Sequence, residues 1–170
     1  MRVVAGQAKG HKLHAPAGRD TRPTSDRVRE AIFSSLESMD AVRGSSVLDL
    51  FCGSGGLGIE ALSRGAASAT FVDSDPAAVS AVRANLAATG LTNGEVVRAD
   101  ALRWLDSAGA FDVALIDPPY AFDEWDDVFS HVGAGLVVAE SDRTLDVPAP
   151  WVVMREKRYG GTVVHLAARE

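Results

Sequence analysis

The feature that most constrains the fold is a regular alternation of short apolar runs with helical segments from residue 46 onward. Strands that alternate with helices indicate a parallel sheet covered on both faces. The predicted strands are SVLDLF, ATFVD, EVVRAD, FDVALID and GLVVAE. Two further apolar segments, WVVMREKRY and TVVHLA, are split by Gly160-Gly161 and predict a final antiparallel hairpin. We therefore predict an α/β, Rossmann-like fold with a mostly parallel seven-stranded sheet.

The first 40 residues do not follow this alternation and predict an extension to the main domain. Residues 2–15 have the pattern of a β-hairpin. Ser25 or Thr24 can cap the helix that follows, because a hydroxyl side chain accepts from the first helical amides. We therefore divide the chain into an extension, residues 1–40, which we expect to dock RNA, and a main domain, residues 41–170.

The composition is that of an ordinary soluble domain. The chain has 170 residues, of which 46% are hydrophobic and 24% charged, and no apolar run is long enough to span a bilayer. Cys52 is the only cysteine, which excludes an internal disulfide and favours a reducing, cytoplasmic location. The four histidines and Cys52 show no metal-ligand spacing, so we expect no metal site.

Charge is distributed unevenly along the chain, whose net charge is −6. Residues 1–30 contain seven basic and three acidic side chains, whereas the remaining 140 contain ten and twenty. A basic segment on an acidic body is typical of a protein that presents one face to nucleic-acid phosphates, although a solvated tail has the same pattern. The candidate phosphate contacts are Lys9, Lys12, Arg22, Arg27 and Arg29.

A glycine-rich segment, GSGGLG, follows the first predicted strand and opens a helix. Gly53, Gly55 and Gly58 satisfy G-x-G-x-x-G, in which residues without Cβ atoms let the backbone approach a ligand closely. Asp73 ends the second strand 20 residues after Gly53, where a carboxylate can accept both hydroxyls of a ribose. These features alone fit a nicotinamide or flavin dehydrogenase equally well, and a structural turn would also explain the glycines.

Three further acids favour S-adenosylmethionine as the ligand. Asp49 precedes the glycine loop, where its charge would repel a pyrophosphate but suits the ammonium group of a methionine moiety. Asp100 ends the third strand and can accept from an adenine amino group, with the Ala101 amide near a ring nitrogen. Asp117 ends the fourth strand, so four carboxylates line one crevice at the sheet edge where open α/β sheets bind ligands.

The turn Asp117-Pro118-Pro119-Tyr120 gives the sharpest indication of chemistry. Its prolines fix the backbone and leave the Pro118 carbonyl without a helix or ladder partner. That carbonyl and the Asp117 carboxylate can accept both N–H groups of a flat exocyclic amine, which directs the nitrogen lone pair toward a sulfonium methyl. Tyr120 offers a face on which a flipped base can stack, and Phe122 offers a second. A plain Pro-Pro turn with a packed tyrosine is the alternative.

The motifs DLFCGSGGLG and DPPY resemble those of class I S-adenosylmethionine-dependent methyltransferases. The segments RVVAGQAKGHKLHAP and RPTSDRVREAIFSSL narrow the resemblance to the RsmD family, and the match runs through essentially the whole chain. The resemblance implies methyl transfer from S-adenosylmethionine to N2 of guanine 966 in 16S ribosomal RNA of the small ribosomal subunit. Many relatives carry Asn where this chain has Asp117, and Asp still fits because it accepts two hydrogen bonds.

The resemblance also implies a role for individual residues. Asp117, Pro118 and Tyr120 would hold the guanine, and the N-terminal hairpin with Arg22–Arg29 would dock ribosomal RNA. The cofactor residues would be Asp49, Gly53, Gly55, Asp73, Asp100, Ala101 and Asp117.

Other functions stay open at the level of sequence. A DNA base amino-methyltransferase uses the same turn but usually adds a target-recognition region. A methyltransferase acting on glutamine carboxamides is disfavoured by the basic N-terminal residues. A dehydrogenase would need a hydride-transfer site, and a non-catalytic RNA-binding module would not need Asp117.

Overall fold

A computed structural model of the protein describes residues 1–16 and 25–170 and contains one seven-stranded sheet. None of the helices in these two ranges is long and apolar enough to cross a membrane. The helices are α1 (Asp26–Ser38), α2 (Gly56–Ser63), α3 (Pro76–Thr89), α4 (Ala101–Leu105) and α5 (Trp125–His131). The strands are β1 (Ser46–Leu50), β2 (Ser68–Asp73), β3 (Gly94–Arg98), β4 (Phe111–Ile116), β5 (Ala134–Ser141), β6 (Trp151–Tyr159) and β7 (Thr162–Arg169).

The strand order is β3-β2-β1-β4-β5-β7-β6, which confirms the predicted fold class. Strands β1 to β5 run parallel, and β7 is antiparallel to both of its neighbours, β5 and β6. The order reverses between β1 and β4, whose last residues, Leu50 and Ile116, are register partners. A crevice at such a switch point, beyond the carboxyl ends of the strands, is where this kind of sheet binds ligands.

Each face of the sheet has its own apolar core. One core joins α1, α2 and α3 to side chains such as Phe71 and Leu115, and it includes Val3, Ala8 and Leu13 from the N-terminus. The other joins α4 and α5 to the opposite side of the same strands. The N-terminal residues therefore share a core with the sheet, so their position relative to the crevice is fixed by packing.

Local signals set the helix boundaries as the sequence predicts. Ser25 caps α1, because its Oγ accepts from the Val28 amide at 3.2 Å. Pro76 begins α3, where its missing N–H costs nothing, and Gly90 ends that helix. The glycine-rich loop enters α2 at Gly56, inside the motif rather than after it.

The N-terminal segment, residues 1–16, does not form the two strands of the predicted hairpin. Its two arms do pair over a short stretch, at an antiparallel bridge between Arg2 and Lys12. Three backbone hydrogen bonds join the arms there, from the amides of Val3, Gly10 and Leu13 to the carbonyls of His11, Val3 and Met1. Its inner amides bond instead to α2, where the Glu60 carboxylate accepts two of them at 2.9 and 3.0 Å and the Ser63 hydroxyl accepts a third at 2.9 Å. Because α2 satisfies these donors, the pairing between the two arms stays short.

Candidate active site

Three of the four predicted acids meet at the switch point of the sheet. Asp49 and Asp73 are buried at 2% and 7% exposure, and Asp117 is half-buried at the end of β4. Burial raises the pKa of Asp49 well above its usual range; a hydrogen bond from the Gly58 amide opposes the increase, and the charges of Asp117 and Asp73 add to it. Asp117 and Asp73 therefore supply negative charge to the crevice, and a cationic ligand would also favour the charged form of Asp49.

The glycine-rich loop shapes one wall of this crevice. Gly53 has a φ of 54°, and a Cβ atom at this position would meet nothing within 4 Å, so the loop leaves open space there. Gly55 has a φ of 80° and precedes α2. The Asp49 carboxylate anchors the loop from below, because its Oδ2 accepts from the Gly58 amide at 2.8 Å.

Asp73 is positioned by the same loop. Its two oxygens accept from the amides of Gly53 and Asp75, each at 3.0 Å. A carboxylate oxygen has more than one lone pair, so this side chain can still accept from a ligand hydroxyl. Asp100 differs from the others, because it is exposed and accepts from an amide of α4, whose first residue, Ala101, is buried.

These residues fit S-adenosylmethionine. The buried Asp49 is suited to the positively charged methionine end, and Asp73 at the end of β2 is suited to a ribose diol. Asp100 and Ala101 follow β3, the next strand along the sheet, where the adenine end would lie. Gly53, where the loop leaves open space, donates its amide to Asp73, so this space lies next to the proposed ribose position.

The Asp117-Pro118-Pro119-Tyr120 turn lies beside the crevice and lines a separate cleft of about 240 Å³. The Phe122 amide donates to the Pro119 carbonyl at 2.9 Å, and within the described residues no hydrogen bond ends on the Pro118 carbonyl. Tyr120 is 47% exposed. The cleft is slightly below the about 300–1,000 Å³ of small-molecule sites, which suits one base rather than a whole nucleotide.

Several elements far apart in sequence complete the walls of this cleft. The start of α1, the end of β5 and the β6–β7 turn all contribute. Their lining residues are Ser25, Val28, Glu140, Ser141, Asp142, Arg143, Tyr159, Gly161 and Thr162.

Phe51 lies between β1 and the glycine-rich loop, packs against Phe122 of the cleft, and was not identified from sequence. It follows β1 with a φ of 59°, a left-handed conformation that is strained for a bulky residue and that clusters at functional sites. Its ring packs edge-to-face on Phe122 at 5.0 Å, and Phe122 packs in the same way on Trp125 at 5.3 Å. Phe122, predicted as a second stacking face, is therefore largely engaged in holding the turn in place.

Two buried polar residues were also missed. Asn85 of α3 is fully buried; it donates to the carbonyls of Ser54 and His14 and accepts from the His14 amide, each at 2.9 Å. It thereby ties the glycine loop to the N-terminal segment, and the sequence of α3 carries no signal for this. Glu140 is the penultimate residue of β5 and is 5% exposed, and a search for acids near strand ends would have found it.

The candidate RNA contacts fall into three groups. Lys9, Lys12 and Arg27 are exposed. Arg29 is fully buried between Asp26, with which it forms an ion pair, and Glu60, so the prediction that it contacts phosphate is wrong. Arg22 lies outside the described residues.

The strand order, the antiparallel β7 and the acid-lined crevice define the fold of class I methyltransferases. A model of the family described as "Conserved hypothetical protein 95" matches residues 1–168. The chain belongs to this family, which is the RsmD family.

Individual relatives are similar over nearly their whole length. The chain is 41% identical to the putative rRNA methyltransferase YlbH of Bacillus subtilis (strain 168), over 96% of each chain. It is 35% identical to ribosomal RNA small subunit methyltransferase D of Escherichia coli (strain K12), over 100% of this chain and 90% of that protein. Among solved structures, the putative methyltransferase yhhF from Escherichia coli superposes with a TM-score of 0.87 at 35% identity, over 100% of this chain and 98% of that chain.

Proposed function

We propose that this protein transfers a methyl group from S-adenosylmethionine to the exocyclic N2 of a guanine, position 966, in 16S ribosomal RNA of the small subunit. The observation that carries the proposal is the position of the Asp117-Pro118-Pro119-Tyr120 turn between the acid-lined crevice and the cleft. Similarity to relatives named as ribosomal RNA methyltransferases supports RNA as the substrate.

The chemistry at this turn is positioning and electrostatic stabilisation. When bound, S-adenosylmethionine supplies a methyl group on a positively charged sulfur, and the C–S bond breaks as the C–N bond forms, leaving S-adenosylhomocysteine. The Asp117 carboxylate and the Pro118 carbonyl each accept one N–H of guanine N2, which opposes delocalisation of the nitrogen lone pair into the ring. The proton that N2 loses passes to Asp117 and then to solvent.

The guanine reaches the turn as a flipped or loop base. Tyr120 is exposed at the cleft and gives the base a face on which to stack. This contact suits a base that has left its partner, because it replaces the stacking that the base has lost. Lys9, Lys12 and Arg27 neutralise backbone phosphates outside the cleft. The buried contacts of the N-terminal segment with α2 hold the two lysines in a fixed relation to the sheet.

The test is to supply methyl-labelled S-adenosylmethionine with unmodified small subunits, with naked 16S RNA or with duplex DNA, and to identify the labelled nucleoside. We expect N2-methylguanosine from the ribosomal samples. Label in DNA, or in another nucleoside, would overturn the proposal, and so would tight cofactor binding without transfer to any of the three samples.

Asp117→Ala tests the role of the turn itself. We expect the rate of transfer to fall by about 10²–10⁴-fold, the usual contribution of a positioned proton acceptor, while S-adenosylhomocysteine still binds. Asp126→Ala is the matched control, because Asp126 is an exposed acid in α5. Equal rates in the two variants would exclude Asp117 from the reaction.

A further inference from the structure

Glu140 lies beside Asp117 at the end of the neighbouring strand. Ile116 of β4 and Ala139 of β5 are register partners and belong to the same core, so the residues that follow them, Asp117 and Glu140, both face the α1 side. Paired strands lie about 4.8 Å apart, so the backbones of Asp117 and Glu140 are close neighbours. Both residues line the cleft.

The burial of Glu140 indicates that this carboxylate meets hydrogen-bond donors. It is 5% exposed, and a carboxylate at this depth is costly unless donors face it. The wall of the cleft at Glu140 is therefore an acceptor, next to the acceptor pair formed by Asp117 and Pro118.

Among the bases with an exocyclic amine, only guanine presents a ring N–H next to that amine. Its N1–H and N2–H₂ groups are adjacent donors, whereas adenine and cytosine present a ring acceptor beside the amine. A buried carboxylate next to the amine-binding pair therefore accepts from guanine and repels the other two bases. A site built around such a hydrogen bond rejects analogues that lack the donor.

We propose that Glu140 is the residue that determines specificity for guanine, by accepting from N1–H while Asp117 and Pro118 accept from N2. This inference deepens the proposed function and rests on it. Glu140 contacts the base but takes no part in breaking or forming the methyl bond.

The test uses small-subunit RNA, assembled into subunits, in which the target guanine is replaced by 2-aminopurine. This base keeps the exocyclic amine but has a ring acceptor in place of N1–H. We expect the wild-type protein to prefer guanine strongly. Glu140→Gln should be less active on guanine and more active on 2-aminopurine, because the new amide can donate to the ring nitrogen. The ratio of activity on guanine to activity on 2-aminopurine should therefore fall by about 10–100-fold.

Glu95→Gln is the matched control, because Glu95 is an exposed glutamate of β3 that does not line the cleft. Its preference for guanine should stay unchanged. Glu140→Gln lowering transfer to both bases by the same factor would overturn the inference, because that is the signature of a purely structural role. Equal methylation of guanine and 2-aminopurine by the wild-type protein would also overturn the inference. Absence of N2-methylguanosine from wild-type protein would instead refute the proposed function.

Discussion

Asp49 carries a proton more readily in this fold than in the unfolded chain. Burial raises its pKa, with Asp117 and Asp73 adding to the effect. A carboxyl whose pKa is raised by folding stabilises the protein below the usual pKa of about 3.9, and this contribution is lost as the pH rises. A ligand cation beside Asp49 reverses the effect, because it favours the charged carboxylate.

Binding of S-adenosylhomocysteine, whose ammonium group remains, should therefore release protons and tighten as the pH rises from acid toward neutral. If one proton is released on binding, the affinity rises by at most about tenfold per pH unit. Calorimetric titration in buffers of different ionisation enthalpy measures the protons released. Asp49→Asn should abolish most of this release, and Asp126→Asn should not. Proton release that is unchanged by Asp49→Asn would assign the linkage to another group.

At the scale of elements, the N-terminal segment depends on a close backbone approach to α2. Gly6 has a φ of 82°, and a Cβ atom there would lie 1.9 Å from the Ser63 carbonyl oxygen. Only glycine allows this contact. Gly10 has a similar φ of 87°, but a Cβ atom there would meet nothing within 4 Å. Comparing substitutions at Gly6 and Gly10 therefore separates the cost of a left-handed backbone from the cost of a steric clash.

Gly10→Ala should lower the free energy of unfolding by about 1–2 kcal/mol, the cost of a left-handed alanine. Gly6→Ala adds a steric clash and should cost about 3 kcal/mol or more, or release the segment from α2. Urea unfolding measures the cost, and hydrogen exchange at the Ala8 amide, which bonds to Ser63, reports release of the segment. Equal costs in the two variants would show that the contact with Ser63 is not tight.

The elements differ in how far the sequence predicts them. Strands β1 to β5 are predictable because each is a short apolar run, and Pro76 and Pro118 mark where a helix begins and a strand ends. The N-terminal segment is predicted less well. Its amides bond to Glu60 and Ser63, some 55 residues away in sequence, and no local pattern encodes such a distant partner.

The same limit applies to the site. Asp49, Asp73 and Asp117 could be predicted to converge, because parallel strands bring their carboxyl ends to one edge of the sheet. The burial of Arg29 and the strained conformation of Phe51 could not, since both depend on tertiary packing. Charge alone suggested that Arg29 faces RNA, whereas its helix turns it toward the core.

At the scale of the whole molecule, the first 30 residues carry a net charge of +4 (seven basic, three acidic) and the remaining 140 a net charge of −10 (ten basic, twenty acidic). Exposed Lys9 and Lys12 lie on the N-terminal segment. We expect such a division to attract RNA phosphates to one part of the surface, while the acidic body weakens non-specific binding.

Replacing both Lys9 and Lys12 by Ala should weaken RNA binding and flatten its dependence on salt. The slope of log affinity against log salt should fall by about one unit per lysine that contacts a phosphate. Arg103→Ala is the control, because Arg103 is an exposed cation on α4, which covers the opposite face of the sheet. A slope that the double variant leaves unchanged would remove the two lysines from the RNA interface.

The position of β7 bears on how the protein is assembled during translation. β7 is made after β6 yet lies between β5 and β6, so β6 has no partner in the sheet until β7 emerges. The strands that carry the cofactor crevice are all synthesised earlier, whereas Tyr159, Gly161 and Thr162 of the base cleft belong to this last hairpin. A nascent chain therefore completes its cofactor crevice before its base cleft is complete, and S-adenosylmethionine can act as a ligand that stabilises the unfinished domain.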